Sequence, residues 1–243
     1  MVGGSERPAF YALGRGRWGD LLTLLHPPYT LWHLSYFALG AGVAPTVHVS
    51  RLLWGLAAFA LAVGVAAHAL DELHDRPLAT GLSDGALRAM ASVSLLGALA
   101  IGVGGVITVS PWLAPLVLVG GMFLPAYNLE WAGGRFHSDL WFAIGWGAFP
   151  AFTGYFVNAE SVAAPGLLIA AGCTAMSVAQ RRLSSPAREL RRRTVAVDGM
   201  RTRKDGSAEP LSRASLLAPL DGALAALSLA MVLSACALLA YRL

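Results

Sequence analysis

Long apolar runs alternate with short polar breaks along this chain. After a mixed segment at 1–28, seven apolar stretches follow at 29–47, 51–72, 86–109, 112–130, 137–158, 163–180 and 214–240. Each is close to the roughly 20 residues that carry a helix across a bilayer. Pro45, Pro77, the Ser110-Pro111 pair and the Gly133-Gly134 pair fall between runs or at their ends, as chain punctuation does. Pro125, Pro150 and Pro165 fall inside runs, which a membrane helix tolerates where neighbours satisfy the freed carbonyls. The stretch from Phe10 to Leu25 predicts an interfacial helix, ended by Pro27 and Pro28. No cleavable signal peptide is expected, because arginines follow the short apolar core instead of preceding it. The pattern therefore predicts an all-α, polytopic transmembrane helical bundle of about seven spans. Its parts are an N-terminal cytoplasmic or interfacial segment (1–28), a six-span core (29–180), a basic cytoplasmic loop (181–213) and a final membrane helix (214–243).

Composition narrows the class further. Of 243 residues, 56% are hydrophobic and 13% charged, against about 45–50% and 25% in soluble domains. The mean hydropathy of +0.59 agrees. A soluble globular domain, a disordered chain, a collagen and a disulfide scaffold are excluded. Cys173 and Cys236 both lie in apolar runs and are expected to be small buried hydrophobes, neither a bridge nor a metal pair.

Charge sets the orientation. Residues 181–213 hold ten Lys/Arg and four Asp/Glu, a net of +6, while the rest of the chain nets −2. An excess confined to one loop is a topology signal, so the pI of 9.4 does not point to nucleic acid. With the amino terminus in the cytoplasm, Arg7, Arg15, Arg17, Arg76, Arg88, Arg135 and the ten of 181–213 are all cytoplasmic; only Arg51 and Arg242 fall outside. Arg outnumbers Lys seventeen to one, a usage associated with GC-rich bacterial genomes, so a bacterial cytoplasmic membrane is the expected location.

Candidate chemistry sits at the end of the second run, AAHALDELHDRPLATGLSD (66–84). His68, Asp71, Glu72 and Asp75 recur at i, i+3, i+4 and i+7, one face of a helix over two turns; His74 falls off that face. Three carboxylates beside a bilayer core need a cationic partner. Magnesium fits, because it takes one or two carboxylates, keeps waters and bridges to substrate phosphates. The plain alternative is a solvated helix end.

This segment resembles the first aspartate-rich motif of the UbiA superfamily of intramembrane prenyltransferases. Asp71-x-x-x-Asp75 matches the last two acids of that motif, and Arg76-Pro77-Leu78-Ala79-Thr80-Gly81-Leu82-Ser83 matches the Arg-Pro-Leu-x-x-Gly-x-Ser element after it. Residues 26–42 resemble the family's first helix. Residues 126–156 resemble its fourth-helix tyrosine and its Gly- and Pro-containing fifth helix. The motif's Asn and first Asp fall on Ala67 and His68, and the second acidic motif is replaced by AQRRLSSPAREL (179–190), with arginines where acids stand in the family.

The resemblance implies a UbiA-like fold, an isoprenyl diphosphate as substrate, and its ionisation for transfer to an unidentified acceptor or for cyclisation, as in UbiA-type terpene cyclases. It implies Mg2+ on Asp71 and Asp75, with Glu72 or His68 assisting. Arg76, Arg135, Arg181 and Arg182 then grip the diphosphate by paired donors, with Tyr127 and Asn128 lining the substrate site. Tyr127, Trp141, Phe142, Trp146 and Phe149 face an allylic cation. Each residue also has a structural reading: Trp and Tyr as interface anchors, Arg135 as a topology determinant, Tyr127-Asn128 as partners for nearby backbone, and Asp139 as a first-turn acid. Two other classes stay open: a degenerate member kept for lipid binding or assembly, and a metal-dependent membrane hydrolase using His68 and Asp71.

Overall fold

The computed structural model describes residues 8–13 and 16–243; Arg7 and Arg15 lie outside the described residues. The chain is helical, with α1 (Arg17–Leu24), α2 (Pro27–Gly42), α3 (Val49–Asp75), α4 (Asp84–Thr108), α5 (Ala114–Asn128), α6 (Asp139–Ala159), α7 (Ala164–Arg192) and α8 (Arg213–Arg242). The helices α2 to α8 fall on the seven apolar runs. Four of them, α3, α4, α6 and α8, are long and apolar enough to cross a membrane, which is compatible with an integral membrane protein. The interfacial helix is shorter than the sequence predicts, starting at Arg17. The basic loop is shorter too: α7 runs on to Arg192 through Pro186, so the first arginines of that stretch are helical. A two-stranded antiparallel hairpin, β1 (Met200–Thr202) and β2 (Ala208–Pro210), stands in the rest.

Local chemistry fixes the helix ends. Pro27 and Pro28 open α2, where missing amide hydrogens cost nothing. Ser83 caps α4, Ser138 caps α6, and Ser212 with Ser215 forms a capping box on α8. Two helices contain π-helical stretches, Ala60–Ala67 in α3 and Ile144–Ala148 in α6.

The core lies around α2, which packs between α6 and α8. Trp32, Tyr36 and Leu39 of α2 meet Ala151, Cys173, Met231 and Ala235. Glycine sets the approach of α2 to α6: a Cβ on Gly40 would stand 1.9 Å from the Ala151 carbonyl oxygen, and one on Gly154 2.1 Å from that of Phe37. Cys173 is buried as expected, whereas Cys236 is exposed on α8; both are free.

Short connections make successive helices antiparallel, so the chain has two ends. At one, Arg51 bonds Glu160 at 2.7 Å and the Val157 carbonyl at 3.0 Å, and Arg242 donates to the Ala44 and Pro45 carbonyls at 2.8 and 2.7 Å. The other end gathers the start of α2, the end of α3, the α5–α6 connection and the arginine-bearing end of α7.

Candidate functional site

At that second end lies a polar cavity of about 480 Å3. The start of α2 contributes His26, Tyr29 and His33. The end of α3 contributes His68, Asp71, His74 and Asp75. The α5–α6 connection adds Tyr127, Asn128, Glu130 and His137, and α7 adds Gln180, Arg181, Arg188, Arg191 and Arg192. Phe10 and Tyr11 cover one side, packed edge-on against Tyr29.

The arginines form a helical stripe. Arg181, Arg188 and Arg192 recur at i, i+7 and i+11, within about 40° of one another around a helix of 3.6 residues per turn. Arg181 Nε donates to Asp139 Oδ1 at 2.6 Å, and its guanidinium lies 5.1 Å over the Phe142 ring. Arg188, past the apolar part of α7, is held below the usual guanidinium value by burial and then by Arg181 and Arg192. Cations forced together in this way favour an anion among them. Arg191 is turned to an ion pair with Asp221 of α8.

Five of the six histidines line the cavity. His33 Nδ1 meets the Trp146 carbonyl at 2.8 Å, His68 Nδ1 that of Gly64 at 3.1 Å, and His137 Nδ1 that of Tyr127 at 3.1 Å. A carbonyl only accepts, so each Nδ1 donates and the neutral ring keeps its lone pair on Nε2. His26, in the left-handed region at φ 45°, stacks on His68 with ring centroids 4.1 Å apart. Burial, then His68, then Arg192 and Arg188 hold His26 well below the usual imidazole value. Burial raises the Tyr11 hydroxyl, with Tyr29 adding to it.

A second, apolar cleft of about 810 Å3 runs between α3, α4, α5 and α6. Val63 and Trp146 line both it and the polar cavity. Each of the two is carried on a π-helical stretch, where the helix widens and redirects its side chains; such stretches recur at functional sites. The two spaces therefore adjoin, polar at the bundle end and apolar within.

Several expected site residues are placed here. His68, Asp71, Asp75, Tyr127, Asn128, Arg181 and Trp146 all line the polar cavity. Four others do not. Glu72 is fully buried and accepts from Leu78 N at 2.9 Å, Thr80 N at 2.8 Å and Thr80 Oγ1 at 2.9 Å. It lies about 100° around the helix from Asp71, so it staples the following loop and does not line the cavity. Arg76 caps α3 in the left-handed region at φ 50°. Its guanidinium bonds the Leu82 carbonyl at 2.7 Å and pairs with Asp84, tying the same loop to α4. Arg135 is exposed after the positive-φ pair Gly133 and Gly134. Arg182 is exposed one position around from Arg181. His74, expected off the acidic face, lines the cavity rim 3.9 Å from Glu130.

Sequence reasoning passed over Arg188, Arg192, His26, His33, Tyr11 and Tyr29. The stripe spacing 181/188/192 is a readable signal, hidden because the dense basic charge of 181–213 reads as a cytoplasmic loop. The others come together only through packing of distant segments.

Fit to a bound group can be judged from the donors present. Asp71 and Asp75, one helical turn apart, suit an ion that takes one or two carboxylates and waters. Among the described residues no group of three or more His, Cys, Asp or Glu side chains converges as a metal cage. Gln180 Oε1 is buried in the cavity wall with no hydrogen-bond partner among the described residues. Comparison with protein-family models, curated proteins and solved structures finds no match for this chain.

Proposed function

We propose that this chain is an intramembrane enzyme of the prenyltransferase type, which binds an isoprenyl diphosphate and ionises it for transfer to an acceptor or for cyclisation. The observation that carries this reading is the junction at Val63 and Trp146, where an arginine-striped polar cavity meets an apolar cleft. That pairing suits an amphiphile with an anionic head and a hydrocarbon tail. Arg181, Arg188 and Arg192 hold the diphosphate oxygens. Guanidinium suits the task because it presents paired donors and stays charged. Asp71 and Asp75 are the residues that would hold Mg2+, which when bound neutralises charge on the leaving diphosphate. Trp146, Tyr127 and Phe142 present ring faces to positive charge developing at the allylic carbon, and burial at the neck keeps water from that carbon.

In this reading α2 to α8 all cross the membrane, as in a UbiA-like bundle. The helices α2 and α5 are short. Because α2 is enclosed by α6 and α8, its ends need not reach both headgroup layers. The polar cavity faces the cytoplasm, where the arginines concentrate, in a bacterial cytoplasmic membrane.

The test is thermal unfolding of the detergent-purified protein with geranyl, farnesyl or geranylgeranyl diphosphate, each with magnesium or EDTA. A ligand at about 100 times its Kd stabilises the folded state by about 2.7 kcal/mol, a rise of about 5–10 °C for a chain of this size. Asp71→Asn/Asp75→Asn removes the magnesium dependence, and Arg188→Gln weakens binding with or without metal. No rise with any diphosphate overturns the proposal. A second reading, binding without turnover, is favoured by the diversion of Glu72 to the loop; stabilisation with no change in the ligand on product analysis selects it.

A further inference from the structure

We infer that the apolar cleft is a length gauge for the tail, set for about four isoprene units, and that Gly104 keeps its far end open. This rests on the head-and-tail reading above and adds which member of the substrate class the chain selects.

The cleft starts at Val63 and Trp146 and ends where Ser50, Arg51 and Thr108 line it. Along α3, Val63 to Arg51 is about 18 Å at 1.5 Å per residue, and along α4, Leu95 to Thr108 is about 20 Å. An extended isoprene unit adds four chain carbons, about 5 Å with bonds near 1.5 Å. The cleft therefore accommodates about four units beyond the neck.

A charged side chain bounds its far end. Arg51 is fixed by Glu160 at 2.7 Å and by the Val157 carbonyl at 3.0 Å. A hydrocarbon pushed against that ion pair strips water from it without replacing the lost hydrogen bonds. Further units must leave the cleft, where they lose the close packing against its wall and add nothing to binding.

Gly104 stands near that far end, about 14 Å along α4 from Leu95. Its neighbours on the same helix face, Ile101 at i−3 and Thr108 at i+4, line the cleft with it. Other wall glycines are already filled by close packing: a Cβ on Gly102 would meet Val117 at 2.8 Å, and one on Gly121 would meet Leu99 at 2.9 Å. A Cβ on Gly104 meets no atom within 4 Å. A side chain there occupies the last part of the cleft without disturbing the helices.

The test is Gly104→Leu in the full-length protein, with Gly172→Leu as control. Gly172 lies on α7, has the same open surroundings and lines neither cavity. Affinities for geranyl and geranylgeranyl diphosphate, and for a longer polyprenyl diphosphate, are read from ligand-dependent thermal shifts. In the wild type, affinity rises to the four-unit tail and then levels off. Gly104→Leu weakens geranylgeranyl diphosphate about tenfold and geranyl diphosphate by less than about twofold, the cost of overfilling a packed site falling only on the longer tail. Gly172→Leu changes neither. Diphosphates that bind the wild type yet respond equally, or not at all, to Gly104→Leu overturn the gauge and leave the head site standing. A wild type that binds no diphosphate overturns both.

Discussion

Replacing Glu72 separates a structural carboxylate from a metal ligand. Its Oε1 accepts from Thr80 N and Thr80 Oγ1 at 2.8 and 2.9 Å, and its Oε2 accepts from Leu78 N at 2.9 Å. Leu78 and Thr80 are themselves buried, so water cannot replace what the carboxylate supplies. In Glu72→Gln the amide oxygen keeps the Thr80 pair, weakened by loss of charge, while the NH2 group faces the Leu78 N–H, donor against donor. A buried donor left unsatisfied costs about 1–3 kcal/mol, and hydrogen bonds to charged groups contribute about 1.5–3 kcal/mol each. The expected loss is about 3 kcal/mol, or about 6–12 °C in Tm for a chain of this length. Thr80→Val, which removes only the hydroxyl bond to the carboxylate, loses about 1.5–3 kcal/mol. Thermal unfolding by intrinsic fluorescence in EDTA, with no ligand, reads these losses, with Asp71→Asn as the cavity-lining control near the wild-type temperature. A Glu72→Gln protein that unfolds at the wild-type temperature but has lost magnesium-dependent ligand binding refutes the staple and restores Glu72 to the metal site.

Two further outcomes follow from the packing. His26 stays neutral in the folded protein because of burial, the stacked His68 and the nearby Arg192 and Arg188, with Tyr11 and Tyr29 against its ring. The unfolded chain takes up this proton first, so stability is complete above about pH 6.5 and is lost progressively as pH falls below it. Melting curves between about pH 7.5 and 5 should show that decline, flattened in His26→Gln; an unchanged slope in the variant removes His26 as its source. Gly40→Ala and Gly154→Ala place a methyl against a carbonyl of the facing helix, at 1.9 and 2.1 Å before any shift. Each is expected to cost at least about 3 kcal/mol, the upper end for overpacking, whereas Gly222→Ala on α8, with open space around it, leaves Tm unchanged or higher. Equal melting temperatures for the Gly40 and Gly222 variants would show that α2 and α6 do not meet through glycine.

The site follows from the antiparallel order of the helices. The cavity draws on the start of α2, the end of α3, the α5–α6 connection and the end of α7, positions that short connections return to the same end of the bundle. The π-helical stretches in α3 and α6 then set Val63 and Trp146 at the boundary between polar and apolar space. Both stretches are rich in Ala and Gly, whose small side chains admit the wider turn.

What the sequence alone determined is the part written in local pattern. Apolar runs of helical length, with proline, glycine and serine at their ends, located α2 to α8, because burial of apolar surface and satisfaction of backbone hydrogen bonds act over neighbouring residues. The face carrying His68, Asp71 and Asp75 was legible for the same reason. Tertiary structure alone decided what each charged side chain does. Glu72 and Asp71 are adjacent in sequence, yet one meets the amides of the loop and the other an open cavity, a difference set by about 100° of helix rotation and by where the chain turns next. The stacking of His26 on His68, and the meeting of the arginine stripe with the carboxylates of α3, join residues from distant parts of the chain. No local periodicity encodes such a meeting, because it depends on which helices pack as neighbours and at which end.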